Sequence, residues 1–426
     1  MTELKEARIT PPRWMSDEAT RAVLQAFSAA GVEARFVGGA VRDALLGRSD
    51  AGSGAEVDID IATPASPERV IELLTQSGIK VVPTGLTHGT VTAVVPPRHF
   101  EITTLRRDVE TFGRHARVAF DADWAADAGR RDFTINAIFL SPDGTIDDPV
   151  GGLADLQAHR VRFVGDPATR IAEDVLRLLR YYRFEARFGA GVGDPQARTA
   201  CRAAAHLLPT LSAERVAQEL IKLIETQDPI AALRMMKEDG VLLVALPEMR
   251  RFDRLQRMIQ IEPEIDPLRR LAALTEVDPS GATALAERLR FSNAWRDRLQ
   301  GLAQPWPIDP QGDARAQRRM LYRLGAERYR DIALLLAADG AIPAARRGEL
   351  LALVHAWAPP RFPLAGRDIV ALGIPPGERV GQLVDAVRDW WEAGDFTADR
   401  NACLAYLQSL VMTSEQQPSS QRPRRL

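Results

Sequence analysis

Apolar residues in the first 165 positions recur at two different spacings, which predicts a domain that mixes helices with strands. Helical spacing covers residues 17–30, where Gly31 ends the run, and returns over 40–46 and 67–76. Short apolar or alternating runs predict strands instead, at residues 34–37, 57–61, 90–95 and 100–105. The pattern therefore predicts an α+β domain with a mixed sheet over residues 15–165.

The remainder of the chain almost loses the strand pattern. Ala, Leu, Arg and Glu dominate stretches with amphipathic helical spacing, and proline-rich breaks at residues 304–310 and 358–363 separate the predicted helices. We predict an all-α neck over residues 166–225 and an all-α body and tail over 226–412. Residues 413–426 are rich in Gln, Ser, Pro and Arg, and we expect them to be disordered.

Length and composition agree with a globular protein of several domains. The chain has 426 residues, of which 46% are apolar and 26% charged, and no run of about 18 apolar residues predicts a membrane span. Cys201 and Cys403 lie far apart without metal-binding spacing, which argues against a disulfide framework or a zinc site. Because residues 1–10 are charged and lack an apolar core, we expect no signal peptide and a cytoplasmic location.

The net charge of −2 does not by itself indicate a nucleic-acid partner, so local basic clusters matter more than the total. Seven arginines fall within residues 160–187, and Arg250, Arg251, Arg254 and Arg257 form a second cluster. Such clusters can contact phosphates without reading sequence, although arginines along a helix more often form a solvated face. Both interpretations stay open for the second cluster.

Residues 36–43, Phe-Val-Gly-Gly-Ala-Val-Arg-Asp, have the pattern of a strand end, two glycines and a helix start. Because glycine lacks a Cβ atom, the backbone at Gly38 and Gly39 can approach a triphosphate closely, and the helix N-terminus favours its charge. Arg42 follows within the first turn, where it can pair with phosphate. A Gly-Gly turn before a helix is more often purely structural, so this segment gains weight only from its neighbours.

Asp58 and Asp60 lie two residues apart in a predicted strand, so both carboxylates point to one face. Their mutual repulsion is costly without a bound cation, and oxygen ligands suit Mg²⁺. Glu101 lies on another predicted strand and is a candidate third carboxylate. The alternatives are a strand edge with two solvated acids and an ordinary surface glutamate.

Three motifs occur in the order of a known family. The Gly-Gly-x-Val-Arg-Asp segment, Asp-x-Asp, and Arg-Arg-Asp-Phe-Thr-Ile-Asn-Ala at residues 130–137 resemble the polymerase-β-like nucleotidyltransferase superfamily and, within it, class II CCA-adding enzymes and bacterial poly(A) polymerases. The resemblance implies a polymerase-β-like head in which Asp58 and Asp60, with Glu101 as a further catalytic candidate, hold two Mg²⁺ ions for in-line displacement at the α-phosphate. It also implies nucleotide contacts from the head, at Gly38, Gly39, Arg42, Arg131, Asp132 and Asn136.

Residues 170–184 predict a helix on which Asp174 and Arg177, three apart, are neighbours on one face. This pair offers a hydrogen-bond acceptor beside a donor, which matches the exocyclic amine and ring nitrogen of cytosine and adenine. Uracil and guanine present the opposite pattern and would leave buried polar groups unpaired.

The same residues match the Glu-Asp-x-x-Arg motif of the family. By this resemblance Glu173 orients Arg177, while Asp174 and Arg177 act as an amino-acid template for the base. Arg180 and Arg183 match further nucleotide-binding positions, but at about 100° per residue Arg183 falls opposite Asp174. Phosphate, RNA or the head–neck interface are therefore alternatives for Arg183, and an amphipathic helix with salt-bridged arginines is the structural alternative for the whole segment.

Residues 106–120 resemble the flexible loop that CCA-adding enzymes use when they switch from cytidine to adenosine addition. The segment is polar and contains Asp108, Gly113 and Arg114. A mobile solvated hairpin is the alternative.

The resemblance covers about residues 36–225 and implies template-independent addition of C, C and A to the tRNA 3′ end from CTP and ATP with Mg²⁺. A poly(A) polymerase, or an enzyme restricted to CC or A addition, shares the carboxylates and stays open. A non-catalytic RNA-binding protein is a third hypothesis, against which the intact motif residues argue. The expected partners are tRNA, CTP and ATP, with no membrane and no obligate protein partner.

Overall fold

The computed structural model describes residues 8–48, 57–86, 89–112, 115–120 and 122–415. The chain divides into two compact units, one that ends at Met249 and includes Glu287–Phe291, and another that begins at Arg250. The predicted head and neck both fall within the first unit, and their boundary stays a prediction. None of the described helices is both long enough and apolar enough to span a bilayer.

The strands of the described residues all lie in the first unit. They are β1 (Arg35–Val37), β2 (Ile59–Thr63), β3 (Lys80–Gly85), β4 (Thr90–Val95), β5 (Arg98–Thr104), β6 (Arg106–Phe112), β7 (His115–Phe120), β8 (Phe139–Leu140) and β9 (Ile146–Asp147). Seven form a sheet in the order β3-β4-β5-β2-β1-β8-β9, and β6 pairs separately with β7. Only β2 and β5 run parallel among the neighbouring strands of this sheet, which confirms the predicted mixed sheet.

Helices surround this sheet and continue along the first unit. They are α1 (Arg13–Ser16), α2 (Glu18–Ala29), α3 (Gly39–Leu45), α4 (Pro67–Gln76), α5 (Trp124–Gly129), α6 (Gly152–Gln157), α7 (Pro167–Glu173), α8 (Leu176–Phe188), α9 (Pro195–Ala204), α10 (Ala213–Ile224), α11 (Ile230–Glu238) and α12 (Val241–Ala245), with 3₁₀ turns at Thr134–Asn136 and Ala205–Thr210. Local sequence explains their starts, as where Ser66 accepts a hydrogen bond from the Arg69 N–H and Pro67 takes the first position of α4.

The named elements beyond Met249 are all helices, as predicted. They are α13 (Phe252–Ile261), α14 (Pro267–Leu274), α15 (Pro279–Arg288), α16 (Asn293–Leu302), α17 (Ala314–Leu324), α18 (Ala326–Ala338), α19 (Ala344–Ala356), α20 (Gly366–Val370), α21 (Glu378–Ala393) and α22 (Arg400–Glu415). The second unit has its own apolar core, in which Trp391 and Cys403 are buried.

Two segments predicted as flexible contain regular structure, and for residues 106–120 this agrees with the hairpin alternative. Residues 106–120 form the β6–β7 pair, although Gly113 and Arg114 lie outside the described residues. Residues 413–415, predicted as disordered, belong to α22, whose apolar residues Leu410 and Val411 pack on the second core and extend the helix to that point. The rest of the predicted disordered tail lies outside the described residues.

Aromatic packing fixes α8 against the head. The ring of Phe133 lies 4.8 Å from that of Phe184 and 4.9 Å from that of Phe163, and Tyr181 stacks on Phe163 at 5.7 Å. Such ring pairs contribute beyond the area they bury. The neck helix that carries Arg177 and Arg180 is therefore held in a defined position relative to the segment that carries Arg131.

Candidate active site

The parallel pair of β2 and β5 brings the predicted acids together. Asp60 is the register partner of Glu101, so their side chains lie beside each other on one face of the sheet. Ile59 and Ile61 flank Asp60 in sequence and are fully buried, which places them on the opposite, core-facing side. Asp58 precedes Asp60 by two residues, just before β2 begins.

These acids perturb one another electrostatically. Burial, together with the nearby carboxylates of Asp58 and Glu101, raises the pKa of Asp60 to about 7, while Arg131 opposes the shift. Burial also raises the pKa of Glu101, with Asp58 as the second cause. Within the described part of the chain, no ion pair or side-chain hydrogen bond neutralises these three carboxylates. The site therefore holds negative charge that an external cation can neutralise.

The donor set fits Mg²⁺ of the kind that takes only one or two carboxylates from the protein and its other ligands from water and phosphate oxygens. In the described residues, no group of three or more His, Cys, Asp or Glu side chains is arranged to hold a metal ion. Asp58 and Asp60 are within the one or two carboxylates that such an ion takes from a protein, and their role as ligands stays a prediction.

Gly38 brings the backbone of the Gly-Gly turn against these acids. It precedes α3 with a φ of +80°, and a Cβ atom added there would lie 3.0 Å from Oδ2 of Asp60. A side chain at this position would be strained by the backbone and would crowd the carboxylate. The glycine at position 38 therefore lets the backbone lie close to the Asp60 carboxylate. Gly39 is the first residue of α3.

Arg42 is buried beneath this turn and has protein partners. Its guanidinium donates to Oδ1 of Asn136 at 2.6 Å and to Oδ1 of Asp43 at 3.0 Å, and it lies 4.0 Å from the centre of the Phe188 ring. Burial lowers the pKa of Arg42, while Asp43 opposes the shift. Its positive charge is thus linked to Asn136, another predicted nucleotide-binding residue.

Asp127, which the sequence analysis did not single out, fixes Arg130 and Arg131. The carboxylate is 1% exposed and accepts from Arg130 at 2.7 Å and from Arg131 at 2.8 Å. Although burial acts to raise it, Arg131 and Arg130 hold the pKa of Asp127 below its ordinary value. Arg131 is thereby positioned close enough to Asp60 to oppose part of the rise in the pKa of Asp60.

Residues 130–132 of the predicted head also accept hydrogen bonds from two arginines of the predicted neck. Asp132 accepts from Nε of Arg180 at 2.9 Å and from the amide of Asn136 at 3.1 Å. The carbonyl of Arg130 accepts from Arg177 at 3.4 Å. Residues 130–132 therefore lie between the carboxylates of the head and the base-reading residues predicted on the neck.

The prediction of one continuous helix over residues 170–184 is wrong at Asp174. α7 ends at Glu173, Asp174 is extended with φ −150° and ψ 107°, and α8 begins at Leu176. Its Oδ1 accepts from the N–H of Leu176 at 3.1 Å, so the carboxylate satisfies a free donor at the start of α8. Asp174 and Arg177 are neighbours across a helix start and not along a helix face.

Asp174 and Arg177 each have an ion-pair partner, but they do not pair with each other. Glu173 accepts from Arg177, as the resemblance implies, and from Arg170 at 2.8 Å. Asp174 accepts instead from Arg215 of α10, at 2.8 Å. The structure thus places Glu173 against Arg177, and the roles of both stay predictions.

Arg183 faces α10, where its Nε donates to Glu219 at 2.6 Å. Of the alternatives raised from the sequence, this contact agrees with a salt-bridged arginine on an amphipathic helix, because Glu219 belongs to the predicted neck and not to the head. Arg215 and Glu219 were both missed by sequence reasoning. Their spacing of four residues on α10 is a signal of a shared helix face, but it does not reveal which charges that face meets.

Each arginine cluster contains both exposed and covered side chains. Arg160 and Arg162 pair with Asp155 but keep 50% and 43% of their side chains exposed. In the second cluster Arg254 is 3% exposed and donates to the carbonyls of Ala272 and Ala273. Both predictions for Arg254, RNA contact and a solvated face, are therefore wrong, because the side chain binds backbone in the interior.

Comparisons with known proteins agree with this arrangement. Residues 34–162 match the family described as the poly(A) polymerase head domain, and residues 194–252 match that described as a probable RNA and SrmB binding site of polymerase A. The fold is similar to that of the Bacillus stearothermophilus CCA-adding enzyme in complex with CTP, with a TM-score of 0.75, 28% identity and coverage of 96% of this chain and 100% of that chain.

Curated relatives match nearly the whole chain. The mitochondrial CCA tRNA nucleotidyltransferase 1 of Mus musculus is 32% identical over 409 residues, which cover 92% of this chain and 90% of that protein. The CCA-adding enzyme of Lacticaseibacillus paracasei is 32% identical over 394 residues, which cover 87% and 91%. With the two-acid head and the arginine-rich neck, these matches show that the chain is a nucleotidyltransferase of the CCA tRNA nucleotidyltransferase family.

Proposed function

We propose that this nucleotidyltransferase adds C, C and A to the 3′ end of tRNA, using CTP and ATP and no nucleic-acid template. The observation that carries the proposal is the position of residues 130–132. Arg131 acts electrostatically on Asp60, while the adjacent Arg130 carbonyl accepts from Arg177 and Asp132 accepts from Arg180. One short segment thus links the acids of the head to the base-reading residues of the neck.

In this proposal Asp58 and Asp60 hold two Mg²⁺ ions, and Glu101 adds negative charge beside them. The bound ions would stabilise the attacking and leaving oxygens of an in-line displacement at the α-phosphate. The backbone of Gly38 and Gly39 accommodates the triphosphate, since it approaches Asp60 where no side chain fits.

The arginines orient the nucleotide, and protein groups orient the arginines. Asp127 fixes Arg131, and Asp132 fixes Arg180. Asn136 joins the two parts of the site, because it accepts from Arg42 and donates to Asp132. Asp132 and Asn136 therefore contribute to nucleotide binding indirectly, because they fix the guanidinium groups that surround the nucleotide.

Base choice follows from Asp174 and Arg177. Asp174 accepts a hydrogen bond from the exocyclic amine of cytosine or adenine, and Arg177 donates to the ring nitrogen. Glu173 holds the Arg177 guanidinium in place, and Glu219 does the same for Arg183. Uracil and guanine would place acceptor against acceptor and donor against donor, which leaves desolvated polar groups unpaired.

The tRNA backbone meets exposed arginines of the first unit. Arg160, Arg162, Arg187 and Arg202 each keep between 43% and 61% of their side chains exposed. Exposed guanidinium groups bind phosphates without reading sequence, which suits an enzyme that accepts every tRNA. The cytoplasmic location stays a prediction, since the relatives include a mitochondrial protein.

The experiment supplies the purified protein with Mg²⁺ and a tRNA transcript that lacks its 3′ CCA end. With CTP alone we expect two cytidines to be added, and with CTP and ATP we expect one further adenosine and then a stop. Length and composition are followed by denaturing electrophoresis and by sequencing of the 3′ ends. An unrelated single-stranded RNA serves as the substrate control.

Other outcomes identify the alternatives. Repeated adenosine addition to the unrelated RNA would contradict CCA addition and indicate a poly(A) polymerase. Arrest after two cytidines in the presence of ATP, or addition of adenosine only to a transcript that ends in CC, would indicate a restricted enzyme.

A further inference from the structure

The carboxylate of Asp174 is held by a residue that lies 41 positions away. Its Oδ1 accepts from the Leu176 N–H, and its Oδ2 accepts from the guanidinium of Arg215 at 2.8 Å. The backbone at Asp174 is extended and lies between α7 and α8, so neither helix by itself fixes the direction of the side chain. Arg215 supplies the second anchor.

Arg215 occupies the first turn of α10, and Glu219 follows one turn later on the same face. Arg215 meets Asp174 just before α8, while Glu219 meets Arg183 in the second half of α8. α10 therefore contacts the neck just before α8 and again in the second half of α8. A shift of α10 relative to α8 would move Asp174 and Arg183 together.

The chemistry of a guanidinium restricts what Asp174 can be. Arginine has five N–H donors and no acceptor, and it keeps its charge throughout the accessible pH range. Its strongest hydrogen bonds are therefore those to a carboxylate that accepts. Each carboxylate oxygen has about two lone pairs, so one anchor on each oxygen leaves capacity to accept from an exocyclic amine.

We propose that Arg215 is a positioning residue for base selection, which holds Asp174 as a fixed acceptor for the exocyclic amine of cytosine and adenine. This inference rests on the proposed function, because it concerns the same base-reading site. Without Arg215, the Asp174 carboxylate is anchored on one oxygen only and can turn away from the base. The penalty against uracil then falls, because its carbonyl no longer meets a fixed acceptor.

The test compares CTP with UTP as single substrates on a tRNA transcript that lacks its 3′ end. For Arg215→Met we expect the ratio of kcat/KM for CTP over UTP to fall by about 10-fold, against a discrimination of roughly 10⁴ that a hydrogen-bonding site can reach. The KM for tRNA should not change, since Arg215 acts through Asp174. Arg215→Lys keeps the charge and should recover most of the ratio.

Arg198→Met is the matched control. Arg198 is also an ion-paired arginine of the first unit, with 22% of its side chain exposed against 27% for Arg215, and its partner is Asp239. We expect this variant to lower the thermal midpoint of unfolding and to leave the CTP to UTP ratio unchanged. A purely structural role of Arg215 would give the same result as the control.

A double-mutant comparison tests whether Arg215 acts through Asp174. Adding Arg215→Met to Asp174→Asn should change the CTP to UTP ratio little, because the group that Arg215 positions is already altered. Additive effects would overturn the proposal, and so would a wild-type ratio in folded Arg215→Met. If Arg215→Met does not fold, the same criteria apply to Arg215→Lys, for which a partial fall in the ratio is expected and an unchanged ratio overturns the proposal. Failure of the wild-type protein to add cytidine would refute the proposed function instead.

Discussion

The head contributes negative charges to the proposed site and the neck contributes positive ones, and only those of the neck are ion-paired within the described residues. In the head, Asp58, Asp60 and Glu101 lie together, and no ion pair of the described residues neutralises them. In the neck, Arg177 pairs with Glu173, and Arg180 pairs with Asp132. In the proposed function an external cation completes the head, whereas ion pairs within the chain already hold the arginines of the neck.

The largest expected effect comes from removing a carboxylate of the head. Asp60→Ala should lower nucleotide incorporation by roughly 10³-fold or more, since metal ions supply several kcal/mol of charge stabilisation in such displacements. Affinity for tRNA, measured by filter binding, should not change, because exposed arginines carry that contact. Glu72→Ala, which alters an exposed ion-paired acid on α4, is the control and should keep full activity. Turnover retained by Asp60→Ala would refute the metal assignment. It would also refute the contrast between a head that depends on a cation and a neck that is ion-paired within the chain.

An intermediate effect is expected in the neck, and on selectivity more than on rate. Asp174→Ala removes the acceptor that meets the exocyclic amine, so the ratio of kcat/KM for CTP over UTP should fall by roughly 100-fold. Asp166→Ala is the control, because Asp166 caps α7 through the Thr169 N–H without contact to the base-reading residues. That variant should be less stable and equally selective. Unchanged rejection of UTP by Asp174→Ala would exclude the template role.

The smallest expected effect is on stability and depends on pH. Burial and the neighbouring acids raise the pKa of Asp60 to about 7 in the folded protein, whereas a free aspartate titrates near about 4. The folded state thus binds the proton more tightly than the unfolded chain, so the free energy of unfolding decreases as pH rises from about 4 to 7 and stays lower above that. Asp60→Asn should remove this loss.

Urea unfolding at pH 5 and pH 8 measures this effect. Without Mg²⁺ at pH 8, we expect Asp60→Asn to be more stable than the wild type, because the variant carries no charge at this buried position. Mg²⁺ should raise the stability of the wild type at pH 8 but not that of the variant, because the ion binds the ionised acid. Equal pH dependence of the two proteins would show that the charge of Asp60 is already neutralised within the fold.

The fold was predictable where local pattern and local structure coincide. α4 over Pro67–Gln76 and β4 over Thr90–Val95 have the predicted bounds, because each has apolar residues at a single clear spacing. β3 was missed because it contains Pro83 and exposes most of its residues, which removes the alternation that marks a half-buried strand. The helix break at Asp174 was missed because no proline or glycine marks it.

The site was predictable as a set of residues and not as a set of contacts. Strand periodicity grouped Asp58 with Asp60 and left Glu101 as a candidate on another strand. The register of β2 and β5 places Asp60 and Glu101 side by side. The partner of Asp174 was not predictable, because Arg215 is distant in sequence and any nearby arginine satisfies the same charge argument. The burial of Arg254 was not predictable either. Its guanidinium binds backbone carbonyl groups, and the pattern of side chains in the sequence carries no information on such contacts.

The alternation along β2 joins chemistry to folding. Ile59 and Ile61 are fully buried, and Asp60 points to the other face between them. A one-residue slip of this strand would turn the aspartate into the apolar interior and expose both isoleucines. A chain with this slip loses the face that carries Asp60 and is also less stable, so the burial of the two isoleucines selects the register that the proposed chemistry requires.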